Sequence, residues 1–295
     1  METARAEVLH VLRRDPRQCG QDTSRWTLAS LLGQLPQVQL RTPAGLWLHL
    51  QRLGIHYKRA RDYVHSPDTH YQAKLAVVDT LQTQVQASAG AEVLLYQDEL
   101  TFYRQPSLAW AYEQAGKTQP LARRSYRSNT PTRVVSTLDA HTGGVLFRRG
   151  SKIGIHELVA FYQQVVAAYP HAQRFWIVLD NWPIHFHPDV LVALEAQETV
   201  FPFPRPPSWP QQPSAAAQKA WGALHLPIQF VPLPTYASWC NPIEKLWRWL
   251  QQDLLHLHRL ADDLSALREA VDAFLRDFAG SSQALLRYVG LHVPY

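Results

Sequence analysis

Phe175-Trp176-Ile177-Val178-Leu179-Asp180-Asn181 is an apolar run that ends in an acid and an amide. A continuous apolar run of this length, preceded by Arg174, reads as a strand buried on both faces, hence from a sheet with helices on each side. Asp180 then stands at the strand's carboxyl end, presented rather than merely exposed. Working outward, Val93-Leu94-Leu95-Tyr96-Gln97-Asp98-Glu99 repeats the pattern, again with an acid closing an apolar run. A third acid, Glu244, lies in Asn241-Pro242-Ile243-Glu244-Lys245-Leu246-Trp247, where a proline opens an amphipathic helix. Carboxylates at strand ends and on a first helical turn can converge from distant parts of a sequence. Three hard oxygen donors on one spot suit Mg²⁺ or Mn²⁺ and can support two-metal displacement at phosphorus.

The elements between these acids give the fold class. Val93 to Arg104, Thr132 to Leu138 and Gly144 to Arg149 read as strands, the last two joined by a turn through Gly143. His156 to Tyr169 is a predicted helix, followed by the buried strand, a helix over Pro188 to Ala196, and a short strand over Pro227 to Val231. The proline-dense stretch Pro202 to Pro213 should lack regular structure. Asn241 to Leu257 carries Leu246, Leu250, Leu254 and Leu257 on one stripe and reads as a long helix. Hairpin strands followed by alternating helices and strands give an α/β fold: a mixed sheet flanked by helices. Asp98 on the first strand, Asp180 on a later neighbour and Glu244 on a crossing helix is an RNase H-like layout.

Residues before about 88 read as helices instead. Ser24 and Thr42-Pro43 look like helix starts, and Gly54 like a stop. Helix, turn, capped helix, glycine stop and the basic stretch Ile55 to Arg61 outline a helix-turn-helix with a winged-helix-like basic arm. A plain helical bundle has the same outline. Thr69 to Gln86 is a linking helix, and Ser88-Ala89-Gly90 the expected boundary. The expected organisation is a helix-turn-helix region and linker over 1–87, a catalytic domain over 88–260, and a helical tail over 261–295.

The 295 residues carry 29 Lys and Arg against 24 acids, a formal charge of +5. Placement says more than the total. Residues 41–61 hold five basic side chains and no acid, and 104–152 hold nine against Glu113 and Asp139. Basic zones around an acidic site fit a polyanionic partner. Cys19 and Cys240 lack metal-ligand spacing and read as reduced thiols. The fourteen His are mostly scattered, with His185 and His187 about a turn and His256 and His258 on a late helix; a metal role is not expected of them. No apolar run reaches membrane-spanning length and no leader pattern opens the sequence, so a cytoplasmic protein without a membrane is expected.

With these residues in hand a family resemblance emerges. Leu179-Asp180-Asn181-Trp182-Pro183-Ile184-His185 resembles the second-acid motif of DDE-type transposases of the mariner-like superfamily, in its bacterial insertion-sequence branch. Leu233 to Trp247 resembles their third-acid motif, and Tyr96-Gln97-Asp98-Glu99 their first. Ser24 to Leu28 and Leu53 to Arg59 are similar to their DNA-binding region. The resemblance implies a DNA transposase that cuts element ends and joins 3′-hydroxyls to target DNA. Asp98, Asp180 and Glu244 would be both catalytic and metal-binding, with Mg²⁺ or Mn²⁺, two per site, as cofactor. Partners would be double-stranded DNA, as terminal inverted repeats and target, and a second copy of the chain in a homodimer on DNA. The rivals are a metal-dependent endonuclease without strand transfer and a domesticated DNA-binding protein.

Other residues carry weaker expectations. Thr42, Arg52, Lys58, Arg59 and Arg61 would lie in the DNA-reading module. Arg123, Arg124 and Arg248 could meet phosphate or simply be solvated. Asn181 could orient Asp180 or form a turn, and Asn241 is a natural helix cap. Glu99 should point away from Asp98 on the pleat and reads as a bystander. Glu244 alone could be a carboxylate favoured by the helix dipole. Two features depart from the family pattern. A further upstream helix-turn-helix is common in it, and this sequence begins too late to hold one in full. The stretch Phe201 to Trp221 is also unusually long and proline-rich, and its aromatic rings could make dimer contacts or fold back on their own domain.

Overall fold

The computed structural model describes residues 2–58, 66–198 and 200–291. The chain divides into two compact units, Met1–Tyr63 and Val64–Tyr295.

The first unit is helical: α1 (Glu2–Leu12), α2 (Leu28–Gly33) and α3 (Pro43–Arg52). Val8, Leu31, Leu35, Leu46, Leu50 and Leu53 form its core. The cap of α2 is Thr27 rather than Ser24: its Oγ1 accepts from the Ser30 amide at 3.1 Å, and Ser30 Oγ accepts in return from the Thr27 amide at 3.0 Å. Thr42 caps α3, its hydroxyl accepting from the Gly45 amide at 3.1 Å, and Pro43 occupies the first turn, where no amide donor is needed.

The second unit opens with α4 (Tyr71–Ala87), followed by β1 (Glu92–Tyr103), β2 (Pro131–Asp139), β3 (Val145–Gly150), α5 (Ile155–Ala168) and β4 (Arg174–Leu179). Then come α6 (Pro188–Leu191), α7 (Ala215–Trp221), β5 (Ile228–Pro232), α8 (Ile243–Leu250), α9 (Leu264–Arg276) and α10 (Gln283–Val289). The five strands form one sheet in the order β3-β2-β1-β4-β5. β1, β2 and β3 pair antiparallel, while β4 runs parallel to both β1 and β5. The expected mixed sheet with helices on both faces is therefore present.

Strand alternation sorts β1 between two cores. Leu94, Tyr96, Leu100 and Phe102 face α4, α8, α9 and α10, packing with Val78, Leu81, Leu246, Trp247, Leu267 and Leu285. Val93 and Leu95 face the other way, toward α5 and Phe186, with Leu158, Val159, Tyr162, Phe175 and Ile177. α4 is thus part of the sheet's core, not a free linker. Asp68 ties its start down, accepting from Lys74 Nζ at 2.8 Å and the Thr235 amide at 2.9 Å.

Two helices are shorter than their sequence suggests. α6 spans one turn, because Leu194 bridges to Leu226 and leads the chain into extended structure. α8 ends at Leu250 and passes through a wider π turn over Gln251–Leu255. Between β1 and β2 the chain makes a long irregular excursion. Its neck is drawn together by Gln105, whose side chain bonds the backbone of Ser125 and Arg127 at 2.9–3.0 Å. Beyond the neck Leu108, Trp110, Tyr112 and Leu121 are almost fully exposed.

The proline-rich stretch folds back on its own unit. Phe203 stacks on Phe186 at 4.5 Å, Trp209 meets His187 edge-on at 4.7 Å, and Phe201 lies against His70 at 5.4 Å. These are the contacts of the intramolecular alternative, and all three rings stay partly exposed.

Candidate active site

The sheet register brings the first two acids together. Tyr96 pairs with Val178 across the parallel β1–β4 ladder. Asp98 lies two residues further along β1, on the α8 face, and Asp180 directly follows the last residue of β4, at the same end of the sheet. α8 packs Ile243, Leu246, Trp247 and Leu250 on that face, which turns Glu244 in its first turn toward the two strand ends.

Two amides fix this crossing. Asn241 Nδ2 donates to the Gln97 carbonyl at 2.8 Å, next to Asp98. Asn181 Nδ2 donates to the Leu233 carbonyl at 2.8 Å, joining the end of β4 to the segment after β5. Asn241 therefore clamps helix to strand rather than capping α8, whose start has no side-chain cap. Asn181 thereby holds the loop that follows Asp180 in place.

The electrostatics report crowded acids. Burial pushes Asp98 up to about 8, helped by the charges of Glu99 and Glu244, against the Trp247 indole N–H that donates to its Oδ2 at 2.8 Å. Asp180 is raised by burial and by Glu99, although the Trp182 amide donates to its Oδ1 at 2.9 Å. Glu244 is raised by burial and by Asp180, with Arg248 opposing. The helix dipole alone would lower a carboxylate at a helix start, so its neighbours outweigh that effect. Three carboxylates raised together need positive charge, and their all-oxygen chemistry fits a hard divalent cation. A cleft of about 310 Å³ opens over Asp98 and Asp180, with Glu99, Thr101, Arg133 and Trp182 in its walls. Glu244 stands on α8 outside that lining.

A second group shares Asp180. Donor atoms of Glu99, Asp180 and His185 all lie within 4.8 Å of one another. Glu99 does point to the opposite face from Asp98, but it is no bystander: His185 Nε2 is 3.5 Å from its Oε2 and 3.7 Å from Asp180 Oδ1. His185 was missed because it sits in a short helical turn, Pro183–Phe186, whose folding under the sheet no local pattern reports. The available signal was its place five residues after Asp180 in the same motif.

The remaining basic candidates are surface residues where they are described. Arg123 and Arg124 are exposed on the β1–β2 excursion, and Arg248 is exposed one turn beyond Glu244. In the first unit Arg52 ends α3 and Lys58 follows it, both exposed. Arg59 and Arg61 lie outside the described residues.

Residues 93–268 match the family model of the DDE superfamily endonucleases, more than half of the chain. The chain belongs to that family. It is also similar to the insertion element IS630 uncharacterized 39 kDa protein of Shigella sonnei, at 19% identity over 263 residues. That match covers 88% of this chain and 66% of the relative, so the chain spans just under two thirds of its length. Among solved structures, the Mos1 transposase paired-end complex with left transposon end matches with a TM-score of 0.60 at 15% identity, covering 97% of this chain and 74% of that one. The Mos1 mariner paired-end complex with Mn gives a TM-score of 0.61 at 15% identity, with the same coverage. These structural matches establish the RNase H-like fold. Among the described residues no helix is long and apolar enough to cross a membrane.

Proposed function

We propose that this chain is the transposase of a bacterial insertion sequence, acting in the cytoplasm on the terminal inverted repeats of its element and on target DNA. The observation that carries the reading is the meeting of Asp98, Asp180 and Glu244 at one end of the sheet, with all three carboxyls pushed up and two of the influences running directly between them. Family membership and the likeness to an insertion-element protein and to Mos1 complexes support it. Mg²⁺ or Mn²⁺, two per site, would supply Lewis acidity at a phosphodiester.

The chain's own contribution is positioning. Trp247 holds one Asp98 oxygen at the wall of the cleft. The Trp182 amide holds one Asp180 oxygen. Asn241 fixes the height of α8, and hence of Glu244, over β1. Arg248 lies where a phosphate approaching Glu244 would meet a cation. Arg52, Lys58, Arg59 and Arg61 would contact the DNA backbone from the helical unit. Thr42, committed to capping α3, would aim that helix at the major groove. Arg123 and Arg124 would track DNA from the excursion.

Joining two ends calls for two copies, and a homodimer on DNA is part of the proposal. The exposed Leu108, Trp110 and Tyr112 of the β1–β2 excursion offer apolar surface to a second copy. The test is cleavage and strand transfer on element-end DNA by Asp98→Asn and Glu244→Gln. Both should abolish the two reactions and leave end binding intact. Cleavage without joining by the unmodified chain would point to the endonuclease rival instead.

A further inference from the structure

On the far side of β1 from Asp98, Gln97, Glu99, Tyr162 and His185 form a buried polar network. His185 is about 1% exposed, and each ring nitrogen faces a different kind of group. Nε2 faces the Glu99 and Asp180 carboxylates at 3.5 and 3.7 Å. Nδ1 faces the Gln97 amide nitrogen at 3.4 Å and the Tyr162 hydroxyl at 3.5 Å.

The neighbours decide which nitrogen carries the proton. Gln97 Nε2 also donates to Glu99 Oε1 at 3.0 Å. Reversing the amide would set its oxygen against that carboxylate, so the nitrogen belongs on this side. In this orientation Gln97 Oε1 is buried without a partner among the described residues, a cost accepted to aim N–H groups at Glu99 and His185. Tyr162 is fully buried, and burial drives its phenol well above the usual range, so it stays a potential donor. Nδ1 is therefore surrounded by donors and must offer a lone pair. That leaves the proton on Nε2, pointing at the two carboxylates.

We propose that His185 is a positioning residue: through Nε2–H it orients Asp180 and gathers Glu99 beside it, and it does not itself ligate the cation. The inference rests on the reading of Asp180 as a cation ligand. A ligating Nε2 would need the proton on Nδ1, where it would face the Gln97 N–H. The present distances exceed ordinary hydrogen bonds. Contacts of this kind are often long in ligand-free sites and tighten when the site fills. Groups that orient metal ligands matter at about the 10–100-fold level in affinity. His185 thus links the buried face of β1 to the acid at the edge of the catalytic cleft, and Glu99 is its second acceptor.

Two measurements test this. Long-range ¹⁵N NMR on the full-length, cation-free protein, with the His185→Gln variant identifying the signal, should show His185 with a bare Nδ1 and a protonated Nε2. The opposite tautomer would overturn the proposal, and this readout holds whatever reaction the protein catalyses. The second is Mn²⁺ titration followed by water proton relaxation. His185→Ala should bind about tenfold or more weakly, while His185→Gln, which restores an N–H donor, should stay within about threefold of the unmodified chain. Equal loss in both would make the ring nitrogen a ligand, and no loss in either would make the contact idle. Absence of Mn²⁺ binding by the unmodified chain would instead remove the reading of Asp180 on which the inference depends.

Discussion

Asp98 and Glu99 are adjacent on one strand and live in opposite environments. Asp98 points to the α8 face, where Glu244 and the Trp247 indole N–H are its neighbours. Glu99 points to the α5 face, where Gln97 and His185 surround it with donors. The same residue chemistry is frustrated on one face and satisfied on the other. The pleat, not the sequence distance, decides which carboxylate is left needing a cation.

The largest expected effect separates these two acids directly. Asp98→Asn should lower DNA cleavage on the order of 10³-fold or more, whereas Glu99→Gln should lower it only about tenfold. Steady-state cleavage of a labelled element end reads both, and equal losses would erase the distinction between the faces.

Trp247→Phe sharpens the comparison on the α8 face. It keeps the ring in the core and removes the donor to Asp98, so Mn²⁺ affinity should fall about tenfold with the fold intact by circular dichroism. An unchanged affinity would mean the indole contact does not orient Asp98.

Asn241→Ala breaks the clamp that sets Glu244 over β1. Losing a buried hydrogen bond should destabilise the second unit by about 1–3 kcal/mol, seen in urea unfolding. The orphan Asn241 Oδ1 would disappear with it and offset part of that loss.

The smallest effect concerns pH. Asp98 is raised from 3.8 to about 8 in the folded chain. The folded state therefore holds a proton more tightly than the unfolded state. The cation-free protein should lose stability as pH rises from about 4 through about 8. Asp98→Asn should remove that loss, raising stability near neutral pH by about 1 kcal/mol or more, or ~2–4 °C in Tm. Thermal scans at pH 4 and pH 8 with chelator present check this; the variant should gain at pH 8 and show little change at pH 4.

Much of the catalytic unit was legible because its signals are local. The apolar run before Asp180 and the alternation in β1 announce strands, and these dictate the faces on which Asp98 and Glu99 emerge. The role of Asn241 was not legible, since a cap and a clamp to a strand 144 residues away share the same local sequence. His185 was hidden for the same reason: its partners come from β1 and α5, and only tertiary packing brings them to its ring. The rings of the proline-rich stretch posed an open choice between partner and own domain, which depends on a hydrophobic neighbour, Phe186, that composition cannot locate.

The most direct test is to locate the cation. Crystals of the full-length protein soaked in Mn²⁺, with anomalous scattering recorded, should show density in contact with Asp98, Asp180 and Glu244, on the α8 side of β1. Density held by Glu99, Asp180 and His185, with none against Asp98 or Glu244, would contradict the account.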